Sequence, residues 1–277
     1  MIGLQPRFAL NHMTAPRLGI ADFFALARSL RLSEVEIRND LASNAIQDGT
    51  PPEDVRRMAE TAGVSIVSIN ALQRFNEWTV DREREAIELA DYAKACGAKA
   101  LVLVPVNDGS GRANGERQGN LRVALKALKD ILGERGLIGL VEPLGFETCS
   151  LRSKKEAADA IGAVGARDSF RLVHDTFHHH LAGEGSIFPG LTGLVHISGV
   201  VDASVSVSEM RDPHRVLVDR HDRLGNIDQI RMLLAAGFAG PLSFEPFAVS
   251  VHELVRPAEA VRASMDFVKA ALVQQAA

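Results

Sequence analysis

The 277-residue chain is 46% hydrophobic and 24% charged, enough apolar material for a sizeable core in a globular enzyme. A net charge of −4 and a pI near 6.1 argue against a basic face for nucleic acid or an acidic membrane. Two cysteines, Cys96 and Cys149, make no disulfide framework, and no apolar run approaches the roughly 18 residues of a membrane helix. The start, Met-Ile-Gly-Leu-Gln-Pro-Arg, has no basic segment followed by an apolar core, so no secretory leader and a cytoplasmic setting are expected.

Strand-like and helical stretches alternate from the start. The first predicted strand, Arg7–Leu10, ends at Asn11 and His12, and a helix near Ile20–Leu30 puts Phe23, Phe24, Ala27 and Leu30 on one face. The second strand, Glu34–Arg38, ends at Asn39 and Asp40. Pro51-Pro52 then opens a helix that stops at Gly63. The third strand, Ser65–Ile69, ends at Asn70, a long helix covers about Asp81–Ala95 up to Gly97, and the fourth strand, Lys99–Val104, stops at Pro105. A helix over about Glu116–Leu132 is broken by Gly133 and Gly136, the fifth strand follows at 137–142, and Ser153 with Glu156 forms a capping-box signature. The sixth strand is Phe170–His174 and the seventh Gly193–Ile197, with room for only a short helical piece between them. An irregular stretch at 199–224 precedes a helix capped by Asn226 and ending at Gly237; the eighth strand is Pro241–Phe244, and a last helix runs through about Val261–Val273.

Eight strands in β/α alternation, with no linker or low-complexity run, predict one α/β domain over 1–277. The first turn, Asn11-His12-Met13-Thr14-Ala15-Pro16, lacks the Gly-x-Gly-x-x-Gly of a dinucleotide-binding sheet, which leaves a closed (β/α)8 TIM barrel. Four successive apolar runs end in potential metal ligands: Leu-Ile-Gly-Leu-Val-Glu at 137–142, Leu-Val-His-Asp at 172–175, Leu-Val-His at 194–196 and Leu-Ser-Phe-Glu at 242–245. Buried parallel strands read as near-continuous apolar runs, and barrel enzymes gather their functional groups at strand C-termini. Glu142, Asp175, His196 and Glu245 are therefore expected at one site in the barrel mouth. Any one of these carboxylates taken alone also reads as a helix cap or a salt-bridge partner.

Three carboxylates and one imidazole suit one hard or borderline divalent ion (Mn²⁺, Mg²⁺, Co²⁺ or Zn²⁺) and lack the thiolates of a structural zinc site. Two glutamates beside a metal suit proton transfer next to a carbonyl, with Glu142 and Glu245 as the catalytic pair and a small polyol or ketose as substrate. His178, three residues after Asp175, can reach the same mouth as a substrate contact or behind the ligands. His174 is expected on the opposite side of its strand, and His179 and His180 read as structural. The charged stretch Glu209–Arg223 reads either as a solvated loop or as a lid whose Arg211 or Arg215 binds substrate hydroxyls or a phosphate. His12, Arg38 and Asn70, ending the first three strands, are further candidates for lining the pocket. Phe75 and Trp78 suit the core better than the pocket wall. The chain calls for no nucleic acid or membrane partner and allows a homo-oligomer.

Val-Glu-Ile-Arg at 35–38, Ile-Asn-Ala-Leu-x-x-Phe-Asn at 69–76, Val-Glu-Pro-Leu-Gly-Phe-x-x-Cys at 141–149, Asp-Thr-Phe-His-His at 175–179, Val-His-Ile at 195–197 and Ser-Phe-Glu-Pro-Phe at 243–247 carry a resemblance over nearly the full length. The chain resembles the xylose-isomerase-like barrel superfamily of sugar isomerases and epimerases, and within it most closely the inosose (2-keto-myo-inositol) isomerases. That resemblance implies Glu142, Asp175, His196 and Glu245 as metal ligands, the two glutamates as proton-transfer groups and His178 as a substrate contact. It implies interconversion of 2-keto-myo-inositol with 1-keto-D-chiro-inositol in inositol breakdown. Relatives usually carry a short Arg-x-x-Pro-Gly-x-Gly turn after the seventh strand, whereas here Arg215 leads into a longer Val-Asp-Arg-His-Asp-Arg-Leu-Gly at 218–225. Ketose 3-epimerases and hydroxypyruvate-type isomerases would use the same site. An apurinic endonuclease-like hydrolase, suggested by Asp212-Pro213-His214, would need further histidines where Asn70 and Pro105 stand. A third alternative is a non-catalytic metal- or sugar-binding barrel, against which the presence of both glutamates argues.

Overall fold

The computed structural model describes residues 6–41 and 45–274. Its eight strands are β1 (Arg7–Asn11), β2 (Glu34–Arg38), β3 (Ser65–Gln73), β4 (Ala100–Val104), β5 (Ile138–Val141), β6 (Phe170–Asp175), β7 (Thr192–Ile197) and β8 (Pro241–Phe244), all parallel and joined in sequence order. β1 pairs with β8, Phe8 opposite Leu242 and Leu10 opposite Phe244, so the sheet closes into a barrel. The helices are α1 (Ile20–Ser29), α2 (Ala45–Asp48), α3 (Pro52–Ala62), α4 (Val80–Cys96), α5 (Asn114–Gly133), α6 (Lys154–Ala163), α7 (Thr176–Ala182), α8 (Asn226–Ala235), α9 (Val249–His252) and α10 (Pro257–Gln274). Among the described residues none is long and apolar enough to cross a membrane.

Alternation along the strands sorts the core into two layers. Leu10, Ile37, Ile69, Leu101, Val141, Leu172, Val195 and Phe244 face outward into the large cluster under the helices, with Phe23, Phe24 and Leu128 packing from outside. Val102, Leu140, Val173 and Leu194 form a smaller cluster inside the barrel. Two residues beyond Leu140, Val173 and Leu194, on the same face, stand Glu142, Asp175 and His196, so these three strands carry an apolar plug residue and then a polar one above it.

Local signals set several helix ends. Ser153 Oγ accepts from Glu156 N–H and caps α6, and Thr79 accepts from Arg82 N–H at the start of α4. Gly63 and Gly97 end α3 and α4 at φ of 69° and 82°, where only glycine avoids a Cβ clash. Asn226 corrects an expectation: it is the first residue of α8, and Gly225 holds the cap position. Its side-chain N–H groups instead reach Ser198 O at 2.8 Å and Asp222 Oδ2 at 3.0 Å, tying α8 to the segment after β7. β3 runs four residues beyond the predicted Ile69, because Gln73 still pairs with Val104.

The stretch at 199–224 is pinned to the end of the barrel at several points, while 201–204, 206–209 and 219–221 stay exposed and Arg215 reaches the site. Gly199 and Val216 form an antiparallel bridge, and Asp222 accepts from the backbone N–H groups of Val200, Leu224 and Asn226. Met210 is buried with Phe177, Val200 and Leu224, which folds the charged segment down over the end of the barrel.

Candidate metal and substrate site

Strand ends bring Glu142, Asp175, His196 and Glu245 together, with one potential ligand atom from each within 4.8 Å of the others, all buried. Asp175 and His196 are paired residues in the β6–β7 ladder. Glu142 N–H donates to Leu103 O at 3.1 Å and Glu245 N–H to Ile197 O at 3.0 Å, so each glutamate hangs from a ladder bond one residue past its strand. Asp175 does two jobs: Oδ1 accepts from His178 N–H at 2.9 Å and caps α7, while Oδ2 faces the site.

His196 sits at the centre. Its Nδ1 lies 2.8 Å from Glu142 Oε1, 3.2 Å from Glu245 Oε2 and 3.9 Å from Asp175 Oδ2, while Nε2 lies 3.2 Å from Glu36. Burial by itself would depress this imidazole's pKa; Glu245, Glu36 and Glu142 outweigh it and raise it well above the ordinary value. Two buried arginines balance the carboxylates. Arg215 Nη2 donates to Asp175 Oδ2 at 2.7 Å and to Glu245 Oε2 at 3.0 Å; Arg38 Nη1 donates to Glu245 Oε1 at 2.8 Å while its Nε and Nη2 clamp Asp40.

The two glutamates are tuned apart. Burial pushes the Glu142 carboxyl up, beyond what His196 pulls back. Glu245 is equally buried, yet His196, Arg215 and Arg38 outweigh that burial and hold it below the usual carboxylate range. Neighbouring carboxyls driven in opposite directions are the arrangement an acid–base pair needs.

A cavity of about 410 Å³ opens above the cluster, walled by Arg38, Asn70, Gln73, Asn107, Leu144, Phe146, His178, Arg215 and Phe247 among others. Arg38, Asn70, His178 and Arg215 thus line the space over the metal-ligand candidates. Asn70 Nδ2 also reaches Glu245 Oε1 at 3.4 Å, and the His178 ring stands edge-on to Phe146. Two other candidates lie elsewhere. His12 points away from the mouth: it stacks on Phe23 at 4.2 Å and its Nε2–H donates to Leu18 O at 2.8 Å. Arg211 lines a neighbouring cavity, donating to the Ser208 and Met210 carbonyls. Asp212 pairs with Arg215, and His214 Nδ1 accepts from Arg211 N–H, so neither extends the cluster toward a nuclease-like set.

His174 turns outward to Gln229 on α8, at 2.9 Å. His179 Nδ1 meets the buried Lys154 ammonium at 2.6 Å, away from the mouth. Phe75 is buried in the core and Trp78 packs against it; both cysteines are free and buried.

A family model described as xylose isomerase-like TIM barrel matches residues 21–271. The chain belongs to that family. Among solved members of this fold, a xylose isomerase domain containing protein from Salmonella typhimurium LT2 is 34% identical, with a TM-score of 0.89 over 99% of this chain and 100% of that one. The IolI protein, solved with a binding zinc atom, is 21% identical with a TM-score of 0.83 over 97% and 98%. D-Psicose 3-epimerase with D-tagatose, from Clostridium cellulolyticum H10, is 14% identical with a TM-score of 0.70 over 96% and 99%. No curated protein is significantly similar in sequence.

Within this xylose isomerase-like barrel the donor set fits a divalent ion. It offers three carboxylates and an imidazole, as hard or borderline cations prefer. Four carboxyl groups (Glu36, Glu142, Asp175, Glu245) are buried here beside two guanidiniums (Arg38, Arg215). Glu142 and His196, whose proton affinities are raised, are where a bound cation would take the place of protons.

Two functional residues escaped the sequence reading. Asn11, not His12, faces inward, its Nδ2 lying 3.3 Å from both Glu36 and Glu245. Glu36, fully buried in the middle of β2, touches His196. A signal for Glu36 existed: a lone carboxylate between Val35 and Ile37, two residues before Arg38, stands on the same strand face as that arginine.

Proposed function

We propose that this barrel is a metal-dependent isomerase of keto-polyols, acting on 2-keto-myo-inositol to give 1-keto-D-chiro-inositol. The observation that carries this reading is the pair Glu142 and Glu245, both against His196 Nδ1 and held at different proton affinities beneath a polar cavity. A cyclic polyol bound in that cavity would meet both carboxyls, with Arg38, Asn70 and His178 at its edge. Glu142, Asp175, His196 and Glu245 would hold the metal, which when bound would supply Lewis acidity toward substrate oxygens. Glu245, kept ionised by Arg38 and Arg215, takes the proton from the hydroxyl-bearing carbon. Glu142, whose carboxyl burial pushes toward higher proton affinity than that of Glu245, delivers a proton to the adjacent carbonyl carbon. The hydroxyl proton passes to the former carbonyl oxygen, completing the shift, and the two glutamates exchange roles in reverse. Leu144, Phe146 and Phe247 give the cavity apolar walls that limit water beside the transferring proton. The Asn-Ala and Gly-x-x-x-Cys segments are what favour an inosose over a free ketose.

The test is metal-stripped protein reloaded with Zn²⁺ or Mg²⁺, added to 2-keto-myo-inositol in D₂O and followed by proton NMR. Metal-dependent loss of the signal beside the carbonyl, with a second keto-inositol appearing, is the expected result. No exchange with metal bound would discard this substrate; exchange with tagatose or fructose instead would move the same chemistry to ketose epimerisation. Glu142→Gln and Glu245→Gln should each slow exchange by at least about 100-fold, the usual worth of a general acid or base, while retaining the wild-type circular dichroism spectrum.

A further inference from the structure

Glu36 lies one layer below the ligand candidates, inside the barrel, and is completely buried. A carboxylate in such a place persists only where donors satisfy it. Three converge here: Ser68 Oγ donates to Oε2 at 2.6 Å, Asn11 Nδ2 to Oε1 at 3.3 Å, and His196 Nε2 lies 3.2 Å from Oε2. The fold makes a local exception to supply the first. β2 and β3 pair Val35 with Ile66 and then Glu36 with Ser68, a one-residue slip that carries Val67 past and sets a hydroxyl opposite the carboxylate. Asn11 also donates to Glu245 Oε1 at 3.3 Å, joining Glu36 to the ligand layer above.

The two ring nitrogens of His196 therefore have separate surroundings. Nδ1 faces Glu142, Glu245 and Asp175; among the described residues Nε2 has only Glu36 as an acidic group within salt-bridge distance. We propose that Glu36 is a positioning residue for His196, holding the ring through Nε2–H so that the Nδ1 lone pair is the one presented to a metal. This rests on the metal-site reading above. A carboxylate behind a ligating imidazole fixes its tautomer and raises its basicity, so Glu36 acts on the site without touching metal or substrate. Ser68 and Asn11 in turn hold Glu36.

The test compares metal-stripped wild type, Glu36→Gln, Glu36→Met and Ser68→Ala by calorimetric titration with Zn²⁺ alone, alongside thermal melts without metal. Glu36→Met, similar in size but without an acceptor oxygen, should weaken zinc binding by roughly 10- to 100-fold. Glu36→Gln, which keeps an acceptor but no charge, should lose less, and Ser68→Ala least. In ¹⁵N-histidine spectra of the zinc-loaded wild type, His196 should show a bound proton on Nε2 and none on Nδ1. A purely structural Glu36 would lower the melting temperature and leave zinc affinity and tautomer unchanged, which would overturn the proposal. If Glu36→Met does not fold, wild-type zinc affinity in both Glu36→Gln and Ser68→Ala overturns it equally. Wild type that takes up no zinc would sink the metal-site reading itself; zinc bound equally by wild type and variants would sink only the role of Glu36.

Discussion

Arg215 offers the sharpest test of how the site is held. Its side chain is 1% exposed and its Nη2 serves Asp175 at 2.7 Å and Glu245 at 3.0 Å, while Nε donates to Ser198 Oγ at 2.9 Å. Arg215→Met keeps most of the buried volume and removes the charge. Arg38 still reaches Glu245, so Asp175 is the carboxylate left without a guanidinium. Deleting one partner of a buried ion pair costs about 3–5 kcal/mol, because the remaining charge stays buried and uncompensated. An unfolding entropy of about 2.1 cal/mol/K per residue makes each kcal/mol worth roughly 1.7 °C in a chain of this length, so Tm should fall by about 5–9 °C. Scanning calorimetry of metal-stripped protein reads this directly. Arg231→Met is the control: its pair with Asp228 is 74% exposed on the aspartate side, and such surface pairs contribute at most about 1 kcal/mol. A melt for Arg215→Met no further from wild type than the control would refute the claim that Arg215 neutralises the buried carboxylates.

Two further outcomes follow from the same geometry. A Cβ on Gly145 would collide with the His178 carbonyl and stand 2.6 Å from Leu181 Cβ, so Gly145→Ala must push α7 away from the barrel. Its thermal melt should show a loss of about 1–3 kcal/mol, and KM should rise because α7 carries His178; an unchanged melt would show that α7 yields freely. His12 is buried, and burial together with the Arg38 charge lowers its pKa to about 4 despite the Leu18 carbonyl that accepts its proton. The folded state thus favours neutral His12: its contribution is complete above pH 6.5 and is lost as pH falls from 6.5 through 4, roughly 3 kcal/mol in all. His12→Gln should flatten that part of the stability–pH curve in urea titrations; parallel curves for variant and wild type would refute it.

Much of the fold was legible because buried parallel strands leave apolar runs punctuated by polar ends, and the helix stops at Gly63 and Gly97 need a left-handed residue. The last four strands also displayed their site residues, since Glu142, Asp175, His196 and Glu245 each close an apolar run. The first strand was harder. Asn11 and His12 are adjacent and both buried, so hydrophobicity does not say which faces inward; Asn11 ends β1 facing the site, and His12 opens a short 3-10 turn that carries its ring to Phe23.

The order of elements, the closed barrel they predict and the four ligand candidates at its mouth were thus determined by local pattern. Tertiary structure alone decided the rest. The Arg215 bonds to Asp175 and Glu245 span 40 and 30 residues, and the contact of Glu36 with His196 spans 160. The slip that sets Ser68 against Glu36 is a property of two paired strands. Which charges neutralise one another, and which glutamate has the higher proton affinity, depends on distance and burial in the closed barrel, and no linear spacing encodes either.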